Sequence, residues 1–179
     1  MSTYGLVIVA DVPDVEAGER LGEHIARFLA DRPGYGEGVV YEVEETDEGA
    51  RLSMNGQGVV ADHKEASFFT DAPVGRAVIC EDGDEYGVVF QVWKLDPAGS
   101  ECVYRAYVQD PELDPEPSTA ARSITGTEAA AAAAALYGAD PQRLLALEAD
   151  PSPVVDQLGI IGSPFDPWLK IFDREWPEI

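Results

Sequence analysis

Residues 74–109, "VGRAVICEDGDEYGVVFQVWKLDPAGSECVYRAYVQ", decide how the chain can fold. Three runs rich in β-branched and aromatic residues, "VGRAVICE", "YGVVFQVWKL" and "ECVYRAYVQ", are separated by "DGD" and "DPAGS". Both separators are turn chemistry, so the stretch predicts a three-stranded antiparallel meander. If both turns are tight, Cys80 stands opposite Gly87 and Cys102 opposite Lys94. The two cysteines then lie far apart on opposite faces, which predicts separate free thiols rather than a disulfide or a shared metal site.

The same register gathers Ala77, Ile79, Val88, Phe90, Val92, Tyr104, Ala106 and Val108 on one face, the expected core. On the other face it sets Arg76, Gln91 and Arg105 side by side, flanked by Trp93 and Tyr107. Two arginines meeting between apolar rows are suited to a carboxylate or phosphate ligand. A slip of one residue would scatter that row.

Working outward, residues 4–10 ("YGLVIVA") form an apolar run that reads as a buried strand. Asp14 can cap a following helix in which Leu21, Ile25, Phe28 and Leu29 share the sheet-facing side. Gly18 and Gly22 fall on nearly that same side and would let the helix approach the sheet closely. "VVYEVEE" and "ARLSMNG" read as a strand pair at 38–54 joined by "TDEG". Asp62 and Glu65 have the spacing of a capping box for a short helix containing "HKEASFF".

After the meander, "DPELDPEPS" holds Pro111, Pro115 and Pro117, which excludes both helix and sheet. Residues 110–117 are therefore a connecting loop between a sheet-rich part, 1–109, and a helical part, 118–179. Within the latter, seven consecutive alanines follow Glu128. Alanine is the best helix former, and Thr125 and Glu128 have capping-box spacing, so residues 126–137 should be a helix closed by Gly138. Small side chains all round suit it to close packing rather than to chemistry. Asp140-Pro141 and Asp166-Pro167 can each start a further helix. The fold class that results is α+β. A mainly antiparallel sheet carries the N-terminal helix and the C-terminal helices, all in one domain.

The charge sets the class of partner. Lys+Arg number 12 against 34 Asp+Glu, giving −22. Such a chain repels phosphate backbones and anionic lipid, which argues against direct nucleic-acid or membrane binding and favours a basic protein. No run approaches the roughly 20 apolar residues of a spanning helix, and no signal-peptide pattern opens the chain; a cytoplasmic protein is expected. Catalytic signatures are missing as well. There is no nucleophile elbow or phosphate-binding glycine loop, His24 and His63 have no ligand partner at metal spacing, and no cofactor is expected.

Two acidic clusters stand out. Glu42, Glu44, Glu45, Asp47 and Glu48 crowd one strand end and turn; Asp110, Glu112, Asp114 and Glu116 alternate along the proline-rich loop. In size, charge and lack of motif the chain is similar to immunity proteins and nucleic-acid mimics, which cover the cations of a basic target. The expectation is a non-enzymatic module of that kind, with Trp93 or Tyr107 as an aromatic anchor. The alternatives are an anion-binding site or enzyme on the Arg76–Gln91–Arg105 face, and an acidity that serves only solubility or a saline cytosol.

Overall fold

The computed structural model describes residues 5–31, 38–57, 65–83, 87–113 and 122–179. Its strands are β1 (Gly5–Val12), β2 (Val39–Thr46), β3 (Gly49–Gln57), β4 (Gly75–Asp82), β5 (Val88–Leu95) and β6 (Glu101–Val108). They form one antiparallel sheet in the order β2-β3-β1-β4-β5-β6. With helices packed on it, the chain is α+β, as its pattern predicts. Asp62 and His63 lie outside the described residues, and the segment from Glu65 to Phe69 forms a 3-10 turn.

Strand β1 sits inside the sheet and is buried on both sides, which is why its sequence is a continuous apolar run rather than an alternation. Leu6, Ile8, Ala10 and Val12 join a core beneath α1 (Val15–Ala30), while Val7 and Val9 join a second core beneath the C-terminal helices. Asp14 caps α1 by accepting a 2.8 Å hydrogen bond from the Ala17 N–H. Gly18 and Gly22 allow the close approach that their spacing implied. A Cβ on Gly18 would lie 2.7 Å from Val43 Cγ1, and one on Gly22 would lie 2.6 Å from the Tyr41 ring.

The opposite layer is built from α2 (Thr127–Tyr137), α3 (Pro141–Ala149), the short α4 (Ser152–Val155) and α5 (Asp166–Ile171). Ala129, Ala130, Ala133 and Ala134 are the buried stripe of α2, so the alanine run is a close-packing device. Its start differs from the expected capping box. Gly126 occupies the N-cap position at φ 95°, and its N–H donates to the Glu148 carboxylate rather than being closed by Thr125. Gly138 closes the helix in the left-handed conformation at φ 64°. Helix α5 is held by rings: Trp168 stacks on Phe90 at 5.2 Å, and Phe172 lies 5.9 Å from Phe90.

The meander forms, but the pairing of its first two strands is shifted by three residues. Cys80 faces Phe90, not Gly87, and Arg76 faces Lys94, not Gln91. The β4–β5 connection is a longer loop, closed by a Gly83 N–H to Gly87 carbonyl bond of 2.9 Å. An odd shift exchanges the faces of β4, so Val78 and Cys80 rather than Ala77 and Ile79 share a core with Phe90 and Val92. The β5–β6 register is as expected from Val88↔Val108 to Val92↔Tyr104; a bulge then places Cys102 opposite Trp93. Neither cysteine forms a disulfide, and burial pushes the Cys80 thiol well above its usual pKa.

A Gly18→Ala substitution tests the helix–sheet contact. Alanine gains about 1 kcal/mol of helix propensity, but its methyl would meet a short, stiff valine. We expect a net loss of roughly 1–2 kcal/mol in urea denaturation. Gly22→Ala should cost less, because the Tyr41 ring can swing aside.

Candidate functional site

The first acidic cluster lies on an edge of the sheet. Along β2, Tyr41 and Val43 turn inward to meet the glycines of α1, and the strand period sends Glu42 and Glu44 outward. Glu45 follows them, and Asp47 and Glu48 are the two-residue turn between the paired Thr46 and Gly49. All five are exposed. Among the described residues no salt bridge reaches Glu42, Glu44, Glu45 or Asp47, while Glu48 lies 3.6 Å from Arg76.

The second cluster is at the far corner. Asp110 and Glu112 follow the end of β6, the other edge strand, and Asp110 accepts a 2.8 Å bond from the Glu112 N–H. Asp114 and Glu116 lie outside the described residues. Five strand intervals separate the two edges, about 24 Å at the usual spacing, and the clusters sit at opposite strand ends. They are two surfaces, not one.

The expected Arg76–Gln91–Arg105 row does not form. The register shift puts Arg76 on the C-terminal-helix face, whereas Gln91 and Arg105 remain paired on the other face. Gln91 is fully buried: its amide donates to Glu81 at 2.6 Å, and its carbonyl accepts the Trp93 indole N–H at 2.9 Å. Trp93 is 6% exposed and packs on Phe69, which removes it as a surface anchor. Tyr107 is half-buried at the far end of β6.

Arg76 instead belongs to a cluster that sequence reasoning missed. The registers align Glu44, Arg51, Asp11, Arg76 and Lys94 in one row across five strands. Asp11 accepts from Arg51 Nε and Arg76 Nε, each at 2.8 Å, and from Arg174 beyond α5. Arg76 also donates to the Leu136 carbonyl at 2.6 Å, and its guanidinium lies 4.5 Å from the Tyr137 ring centre. Arg174 flanks the same ring at 5.2 Å. Burial alone would raise the Asp11 carboxyl, but the hydrogen bonds of Arg174, Arg76 and Arg51 outweigh it and hold the pKa below its ordinary 3.8. The Tyr137 hydroxyl is pushed up, by burial first and by the Asp11 charge second.

These side chains border a cleft of about 830 Å³. Four cations, Arg51, Arg76, Lys94 and Arg174, line it, yet Asp11 sits among them and Asp47, Glu48, Asp96 and Asp173 line it too. The cleft is therefore close to self-neutral, which disfavours capture of an anion by a chain of net charge −22. Its geometry is that of a lock joining β1, β3, β4, α2 and the C-terminal segment. Among the described residues no group of three or more His, Cys, Asp or Glu could hold a metal ion, and no helix is long and apolar enough to cross a membrane. Comparison with known families, curated proteins and solved structures finds no match.

Replacing Asp11 with Asn would leave three partly buried guanidiniums with one neutral acceptor. A loss of roughly 2–4 kcal/mol is expected by chemical denaturation, below the full buried-pair value because all four groups retain some exposure. The sign with pH follows from the lowered pKa. The Asp11 contribution is complete above the ordinary carboxyl pKa of about 4 and is lost as pH falls through the depressed folded value. The stability gap between parent and variant should accordingly narrow below about pH 4.

Proposed function

We propose that this protein is a non-enzymatic binding module that engages a basic protein through the carboxylates of β2 and the β2–β3 turn. The supporting observation is the exposed set Glu42, Glu44 and Glu45 on an edge strand and Asp47 in its turn, unpaired within the described chain. A carboxylate already bound to an internal cation has little left to offer a partner. Among the described residues these four are bound to no such cation.

Chemically the surface can do two things. Its field steers a cationic protein toward the edge over distances of about a Debye length, roughly 10 Å at 0.1 M salt. On contact, each carboxylate can accept charge-assisted hydrogen bonds from lysine or arginine. Val40, 50% exposed on the same outward face, adds an apolar contact. Trp93 plays no part in this version of the mechanism, and the arginine-face reading has lost the row on which it rested.

The test has two steps. The full chain is immobilised and challenged with the lysate of its own cell, a salt-eluted basic protein is purified, and its association rate is measured by stopped flow. The double variant Glu42→Lys/Glu44→Lys should slow association about tenfold or more at 50 mM salt, and the difference should shrink towards 0.5 M as screening sets in. Glu112→Lys, at the opposite corner, should change it little. Unchanged association of the double variant at low salt would remove β2 from the role. A parent chain that unfolds in low salt and recovers in concentrated potassium chloride would favour salt adaptation instead.

A further inference from the structure

A second cavity, of about 500 Å³, opens beside β6 at the corner opposite the β2–β3 turn. Tyr104, Tyr107, Gln109, Thr125, Glu148 and Trp168 are among its lining residues, and Glu148 is the one charged group among the described residues there. Tyr104 is fully buried, and its Oη makes no well-formed hydrogen bond among the described residues, although the Glu148 carboxylate and the Trp168 side chain stand near it. Burial and the facing Glu148 carboxylate keep this hydroxyl protonated far above neutral pH. A buried hydroxyl without a well-formed hydrogen bond is costly, so its presence at a cavity wall calls for an explanation.

Glu148 is incompletely satisfied as well. Among the described residues its two oxygens share one donor, the Gly126 N–H, at 3.2 Å each. A carboxylate has about four acceptor sites, so Glu148 has capacity for further donors where it lines the cavity. A single negative charge, two tyrosine rings and an indole, with Ala106, Val108 and Leu147 completing an apolar wall, do not suit an anion. They suit an organic cation with a hydrocarbon stem. A guanidinium fits best: its fork can meet both Glu148 oxygens, another N–H can donate to Tyr104 Oη, and its plane can lie on an aromatic face.

We propose that the cavity between Tyr104, Glu148 and Trp168 is a binding site for an alkylguanidinium or alkylammonium group. This site is independent of the β2 surface, from which it is separated by the width of the sheet. Such a group can come from an arginine or lysine side chain of a protein or from a free small amine. Asp110 and Glu112, immediately beyond the lining residue Gln109, add a negative field near this corner for either source.

The full chain, labelled with ¹⁵N, is titrated with butylguanidinium chloride, and the Gly126 amide and Trp168 indole signals are followed. Butylurea serves as the neutral isostere, and sodium chloride as the salt control. Saturable shifts with a millimolar Kd are expected, at least tenfold weaker for butylurea and for Glu148→Gln, and about threefold weaker for Tyr104→Phe. Glu148→Gln keeps an acceptor for the Gly126 N–H, so its fold is expected to persist. The Tm of Tyr104→Phe should be unchanged or higher, because the lost hydroxyl made no well-formed hydrogen bond. Absent saturation, equal binding of butylurea, or an unaffected Glu148→Gln variant would overturn the site. So would a Tm several degrees lower in Tyr104→Phe, which would place the hydroxyl in an internal bond. The peptide acetyl-Gly-Gly-Arg-Gly-Gly-amide decides the source: binding as tight as butylguanidinium supports a protein side chain, and binding of butylguanidinium alone supports a free cation. Charge reversal at Glu42 and Glu44 should leave the titration unchanged, so failure here and failure of the β2 reading are separate results.

Discussion

Asp11 is the group on which the arrangement of this chain depends. It lies near the end of a buried strand, where a carboxylate would be expelled unless cations met it. Three arginines do so, from β3, from β4 and from the segment after α5, the last separated from it by 163 positions in sequence. The two strand contacts fix the relative height of β3, β1 and β4, and Arg174 fastens the C-terminal layer to that row. Arg76 extends the lock by donating to the last turn of α2 at Leu136.

Helix α2 is thereby held at both ends by polar contacts and along its length by methyl groups. Its C-terminal turn meets Arg76, and the Gly126 N–H at its start meets Glu148. Between them, the stripe Ala129, Ala130, Ala133 and Ala134 lies on β5 and β6. Larger side chains there would lift the helix from the sheet and move both ends from their partners. The alanine run is thus a distance constraint. It also positions Glu148 beside Tyr104, which makes the shape of the second cavity a consequence of how closely this helix lies.

Most of the architecture was legible because it rests on local patterns. The apolar run of β1, the capped stripe of α1, the glycines at 18 and 22, the turn signals of the meander and the alanine helix each announce themselves within a few residues. The β4 register did not. "AVIC" (77–80) is apolar on both faces because both faces of the sheet are covered, so alternation there could not choose between registers three residues apart. The arginine row failed with it. The Asp11 lock was illegible for a different reason: its members come from four distant positions with no common spacing. One hint was available, an acid closing the apolar run of β1 with an arginine in each strand that came to flank it. The exposed acids of β2 were readable from the start, since the same alternation that buries Tyr41 and Val43 turns Glu42 and Glu44 outward.

Acids on an edge strand have a second explanation, because charge there deters pairing between sheet edges. Lysine would serve that purpose equally well and would relieve the self-repulsion of a chain carrying −22. The arrangement around Arg51 is more telling. Glu44 stands directly across from Arg51 in the β2–β3 register, the geometry in which a cross-strand ion pair would ordinarily form. Arg51 turns its Nε to Asp11 instead. Elsewhere cations meet acids close at hand, as in Arg20 with Glu16 and Lys170 with Asp166 one helical turn apart. On β2 the cation opposite the acids is drawn inward by the lock, and among the described residues no salt bridge reaches Glu42, Glu44 or Glu45. The contact that stabilises the fold is the same one that turns Arg51 away from Glu44.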